Sequence, residues 1–128
     1  MAVSVFPGSG KSSVFPVPPG GAGKAEVSAT TGSPAIDTTT RSGKTIYKFT
    51  ANGSITVSAT GTAEILVVGG GGAASMGGGG AGGFLYNPSA YLEVGTLSVT
   101  VGAGGPGTGA STRRAYSGLG SRVGSYFV

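Results

Sequence analysis

Apolar and polar residues alternate most cleanly in two stretches of the chain. Thr96–Val101 sends Leu97, Val99 and Val101 to one side and Thr96, Ser98 and Thr100 to the other. Ser54–Ser58 sets Ile55 and Val57 against Ser54, Thr56 and Ser58. A period of two marks a half-buried β-strand. Just upstream, Tyr47 and Phe49 alternate with Lys48 and Thr50, and Ala51-Asn52-Gly53 between the stretches is a hairpin signal. A two-residue loop would pair Phe49 with Thr56 and Tyr47 with Ser58. A three-residue loop with Gly53 in the left-handed conformation instead pairs Phe49 with Ile55 and Tyr47 with Val57. The second is expected, because a slip of one residue moves every side chain to the other face.

Gly61 marks a turn into Thr62–Val68, where the unbroken run Ile65, Leu66, Val67, Val68 predicts a strand covered on both faces. Phe84–Tyr86 reads as a short strand and Asn87-Pro88-Ser89 as the turn that ends it. No segment carries helical periodicity, and glycine costs a helix about 1 kcal/mol per position relative to alanine. The expected fold is therefore all-β. It is a small antiparallel β-sandwich-like domain with long ordered glycine-rich loops over residues 45–128, preceded by an extended Pro/Gly/Ser-rich arm or linker over residues 1–44.

The arm holds most of the prolines and no tyrosine, and repeats a short unit: Ser4-Val5-Phe6-Pro7 returns as Ser13-Val14-Phe15-Pro16. Proline-rich backbone favours an extended conformation whose polar groups stay open to a partner. Val5, Phe6, Val14 and Phe15 are its candidate assembly contacts.

Composition changes this picture at one point, the glycines. With 28 glycines and 7 prolines among 128 residues, the chain has the profile of a disordered polymer. Yet mean hydropathy is positive, and eight cations against four acids is sparse charge, unlike a disordered chain. Between Gly69 and Gly83 only Met76 is larger than serine. Ordering such a run costs about 1–2 kcal/mol per residue in backbone entropy, so a packing advantage has to offset it. Backbones without side chains approach closely, the logic of three-fold glycine helices. Tightly packed glycine loops, at a three-fold axis if the chain is a homotrimer, are the expectation. Leu, Ile, Val and Phe make up about a fifth of the chain, a thin core that favours self-association or docking on a larger assembly.

Catalysis finds little raw material. Cysteine and histidine are absent, which removes disulfides, thiolate metal sites and the commonest general base. The acids are Glu26, Asp37, Glu64 and Glu93, scattered along the chain and read as solvated surface. Gly8-Ser9-Gly10-Lys11-Ser12 resembles the end of a phosphate-binding loop, but Val5 stands where that motif needs glycine, and Pro16, Pro18 and Pro19 forbid the following helix. Gly102-Ala103-Gly104-Gly105-Pro106-Gly107 fits a dinucleotide fingerprint, yet no helix follows and no acid occurs after Glu93. Neither a cofactor nor a metal is expected, and the reading is that of a protein without enzymatic activity. The cations are dispersed apart from Arg113-Arg114, so no nucleic-acid partner is expected. The N-terminus lacks a signal-peptide pattern, and the most apolar stretch, Ala63–Val68, holds Glu64 and is too short to enter a bilayer as a spanning segment.

An ordered set of blocks carries a family resemblance: Tyr47-Lys48-Phe49-Thr50, Gly53-Ser54-Ile55-Thr56-Val57, Ile65-Leu66-Val67-Val68 running into Gly69–Gly72, Gly77–Gly83, and Val99-Thr100-Val101-Gly102-Ala103-Gly104-Gly105. In this order over residues 45–105 they resemble the glycine-rich domain of bacteriophage tail fibre and minor tail proteins. The resemblance implies a structural protein of the virion, in the tail rather than the capsid. It would be a minor tail, tail-tip or fibre-associated subunit whose partners are other virion proteins and copies of itself. The alternatives are a host-surface-binding adhesin and a capsid decoration or head-fibre protein. For the adhesin, Tyr86, Tyr91 and Tyr116 are the candidate contacts to a host glycan or protein. The first 44 residues match no part of that pattern.

Overall fold

A computed structural model describes residues 23–74, 77–107 and 115–128. The candidate contacts Val5, Phe6, Val14 and Phe15 lie outside the described residues. Nine strands follow in order: β1 Glu26–Thr31, β2 Ala35–Asp37, β3 Ile46–Lys48, β4 Gly53–Ala59, β5 Gly61–Val68, β6 Phe84–Leu92, β7 Gly95–Thr100, β8 Arg122–Val123 and β9 Tyr126–Phe127. There is no helix among the described residues, and the fold is all-β and antiparallel, as the sequence predicts. One sheet runs β1-β4-β7-β8-β9, and β2-β3 and β5-β6 form two-stranded sheets.

The alternation in β4 and β7 places their apolar residues on a common face. Ile55 lies opposite Leu97, and Thr56 opposite Thr96 with their hydroxyls 3.4 Å apart. The β5-β6 pair packs over this face. Val57 of β4 joins Ile65 and Val67 of β5 and Ala90 and Leu92 of β6 in the buried cluster, with Ile55, Leu97, Val123 and Tyr126 against it. Two sheet layers enclose one core, the sandwich-like arrangement expected.

Four local expectations change. First, Tyr47–Phe49 and Ile55–Val57 do not form a hairpin. β3 pairs with β2, setting Tyr47 opposite Ile36, while β4 pairs with β1 and β7. Asn52 and Gly53 make long-range contacts instead of a tight turn. The Asn52 Oδ1 accepts a hydrogen bond from the Val101 amide at 2.8 Å. A Cβ on Gly53 would sit 2.2 Å from the Thr31 carbonyl oxygen, so only glycine lets β1 and β4 come together there.

Second, the stretch read as an arm up to residue 44 contributes β1 and β2 to the domain. β1 supplies an edge of the main sheet, with Thr31 and Ser54 hydroxyls 2.9 Å apart. Its sequence Glu-Val-Ser-Ala-Thr-Thr has one large apolar residue, and its register shifts twice, so no alternation announces it. Third, Asn87-Pro88-Ser89 does not end a strand. β6 continues through it, and the register shifts between Ala63 and Ile65, where Ser89 and Pro88 together face the single residue Glu64. This bulge accommodates proline, which has no amide to donate. Fourth, β5 is covered on one face only: Ile65 and Val67 are buried, whereas Leu66 and Val68 are 58% and 55% exposed.

The glycine runs form a backbone-packed bundle. Gly69 and Gly72 donate to the carbonyls of Gly83 and Gly80 at 2.8 and 2.9 Å. Gly70 and Ala73 donate to Leu119 and Tyr116 at 2.9 Å each. The Gly71 carbonyl accepts from Gly105 at 2.8 Å, and Leu119 donates to Ala103 at 2.8 Å. The partner thus rotates with a period of three along residues 69–73, the period of an extended three-fold helix. Close approach repeats at the same spacing. A Cβ on Gly82 or Gly79 would lie 2.0 or 2.1 Å from the carbonyl oxygens of Gly69 or Gly72, and one on Gly102 or Gly105 equally near those of Leu119 or Tyr116. Backbone hydrogen bonding and close approach supply the packing advantage that ordered glycine requires.

Candidate functional site

Strand pairing determines what the bare side of the β5-β6 sheet presents. Thr62, Glu64, Leu66 and Val68 alternate onto it from β5, and Tyr91, Tyr86 and Phe84 meet them from β6. Leu66 pairs with Tyr86, and Val68 with Phe84. These four side chains are 52–69% exposed, Phe84 the most at 69%. They form a contiguous apolar ladder, a kind of surface that small soluble domains seldom leave open.

A polar cluster closes one end. The Tyr86 hydroxyl donates to Glu64 Oε1 at 2.6 Å. Arg41 Nη1 and Lys44 Nζ reach Glu64 Oε2 at 2.6 and 2.5 Å. Both cations sit in the loop between β2 and β3, which is shaped by Asp37. Its Oδ1 accepts from the Thr39 and Thr40 amides at 2.8 and 3.0 Å, and its Oδ2 from the Thr40 hydroxyl. Those bonds, the Thr40 hydroxyl first, hold the Asp37 carboxyl well below the usual carboxylate range. Gly43 at φ 70° completes the turn, and the Lys44 amide donates back to the Arg41 carbonyl at 3.0 Å. The Lys44 ammonium, the Tyr86 hydroxyl and Arg41 together push the Glu64 carboxyl down to about 2. The same carboxylate raises Tyr86 and Arg41 above their ordinary values. A carboxylate held this firmly ionised suits electrostatic clamping and is poorly matched to proton transfer near neutrality.

The three tyrosines do not form one site. Tyr86 and Tyr91 share the outer sheet face. Tyr86 is half exposed and bonded to Glu64, whereas the Tyr91 main-chain carbonyl accepts from the Tyr126 hydroxyl at 3.3 Å. Tyr116, 46% exposed, lies elsewhere. It borders an open cleft over the glycine bundle, lined with Gly70, Gly72, Gly80, Gly82 and Gly118. Among the described residues, no three His, Cys, Asp or Glu side chains gather to hold a metal ion.

Sequence reasoning missed the Glu64 cluster. Arg41 lies 23 residues from Glu64 and Lys44 lies 20, with no local pattern linking them. The sequence signal for the ladder was present but ambiguous, since Ile65–Val68 is apolar at every position.

A family model described as a glycine-rich domain matches residues 49–126. No curated protein matches the chain, and no solved structure does.

Proposed function

The chain belongs to the glycine-rich domain family, and from that premise we propose that it is a structural component of a bacteriophage virion. In this reading it is a minor tail, tail-tip or fibre-associated protein that acts through assembly contacts and not through catalysis. The observation that carries the assembly role is the uncovered ladder of Leu66, Val68, Phe84 and Tyr86, offered by a domain whose buried apolar residues are few. The virion setting rests on the ordered blocks around the glycine runs, and the tail is preferred to the capsid on the same ground. Its partners are other virion proteins and copies of itself, with no cofactor, no nucleic acid and no insertion into a membrane. Immunogold labelling of purified particles with an antibody to the β domain tests this. Label at the tail is the expected result, label on the head moves the protein to a capsid decoration or head fibre, and particles without label refute the virion role.

One observation favours a second reading, a host-surface adhesin: Tyr116 beside the open glycine cleft combines a stacking surface with backbone polar groups. Binding of the full chain to host envelopes that falls on Tyr116→Ala supports it. Absence of binding by the assembled protein removes it.

A further inference from the structure

We propose that the outer face of the β5-β6 sheet is closed by the same face of a second copy of this chain, in a two-fold pair. The inference deepens the assembly role proposed above. It is tested on the isolated protein, so it can fail while the virion assignment stands.

Three observations lead to a second copy. The first is that β5 and β6 are apolar on both faces where Ile65–Val68 runs beside Phe84–Tyr86, yet the chain's own core covers only the side of Ile65, Val67, Ala90 and Leu92. Strands of this pattern belong in sheets covered on both sides. The second is area. Leu66, Val68, Phe84 and Tyr86 are each more than half exposed, which amounts to roughly 500 Å² of side-chain surface per copy. Two such faces bury about 1,000 Å² together, the lower bound for a specific interface.

The third observation is charge. A self-complementary face has to avoid setting like charges against each other. The centre of this ladder carries none. Glu64, at one end, is already bound by Arg41, Lys44 and Tyr86. A two-fold axis through the Leu66–Tyr86 pair brings the Arg41–Lys44 end of one copy over the Val68–Phe84 end of the other. The cations of the two copies are thereby kept apart and placed beside an aromatic ring, a favourable pairing.

Sedimentation equilibrium of the full chain between about 1 and 100 μM should show a monomer–dimer equilibrium. Leu66→Lys and Phe84→Lys should each raise the dimer dissociation constant at least about tenfold, by burying an unpaired charge. Val94→Lys, the same change at an apolar position 62% exposed between β6 and β7, should leave it unaltered. A strictly monomeric chain, or dimerisation unmoved by the two ladder lysines, overturns the proposal. Dimerisation lost on changing Phe6 and Phe15 also overturns it, by handing the face to the N-terminal repeats. Should the lysine variants fold poorly by circular dichroism, a spin label on Val68→Cys decides. Two sheets packed about 10 Å apart bring the labels within roughly 30 Å, and absence of dipolar coupling overturns the pairing.

Discussion

Gly82→Ala and Gly80→Ala lie two positions apart in the same segment, and they should behave as opposites. At Gly82 the added Cβ would lie 2.0 Å from the Gly69 carbonyl oxygen and 2.5 Å from its carbonyl carbon. Non-bonded contacts of this kind need more than about 3 Å, so the two segments have to part by roughly 1 Å. That movement stretches the bonds from Gly69 to Gly83 and from Gly72 to Gly80, now 2.8 and 2.9 Å. Losing them costs about 1 kcal/mol each, and overpacking adds about 1–3 kcal/mol. Gly82→Ala should therefore destabilise the domain by about 3–5 kcal/mol. At Gly80 the Cβ meets nothing within 4 Å, and the backbone is not left-handed. There alanine only restricts the unfolded chain, which stabilises by about 0.4–1 kcal/mol. Urea unfolding followed by circular dichroism, at one fixed protein concentration, measures both. If the two variants fall within about 0.5 kcal/mol of each other, the backbone-packed bundle is refuted.

Further expectations concern the clamp, the core and the sheet edge. The Glu64 carboxyl titrates at about 2 in the folded chain against an ordinary value of 4.5. Its stabilisation is thus complete above pH 4.5 and is lost as the pH falls from 4.5 towards 2. Melting temperature followed down this range should drop less steeply in Glu64→Gln. Val57 is 1% exposed at the centre of the core, so Val57→Ala should cost about 2 kcal/mol in denaturant unfolding through the cavity it leaves. Asn52→Ala removes the acceptor of the Val101 amide. It should cost about 1 kcal/mol and speed hydrogen exchange of that amide, where a Gly-rich turn signal alone would predict no effect.

Legibility in the sequence followed the range of the interactions. The strands around Ile55, Val57, Leu97 and Val99 were visible because alternation reports which side of a strand is buried. It does not report the partner. β4 therefore pairs with β1 and β7, although the nearest turn signal, Asn52-Gly53, pointed to β3. β1 escaped notice because its small polar residues satisfy sheet hydrogen bonds without an apolar stripe. Entropy requires that ordered glycine segments be packed, while their three-residue rotation of partners depends on pairings far along the chain that no local pattern records. For the candidate site, the chemistry of Tyr86 marks it out in the sequence, but the unbroken run Ile65–Val68 places Leu66 and Val68 in the interior. A continuous apolar run shows that a face needs cover without showing whether the cover comes from the same chain. Glu64, Arg41 and Lys44 were legible only as scattered charges, since a folded loop 20 residues away brings them together.

The bundle of residues 69–73, 79–83, 102–105 and 116–120 also shapes how the domain responds to temperature. Unfolding it releases mainly peptide groups into water and little hydrocarbon. Exposed polar surface lowers the heat capacity of the unfolded state, whereas exposed apolar surface raises it. This part of the chain should therefore contribute well below the usual increment of about 12–15 cal/mol/K per residue. A small heat-capacity change flattens the stability curve, so the glycine segments lose little of their hold on cooling, where ordinary hydrophobic cores weaken. Cooling tightens the bundle and warming loosens it, because its cohesion lies in the main chain and is opposed by the entropy of ordering glycine.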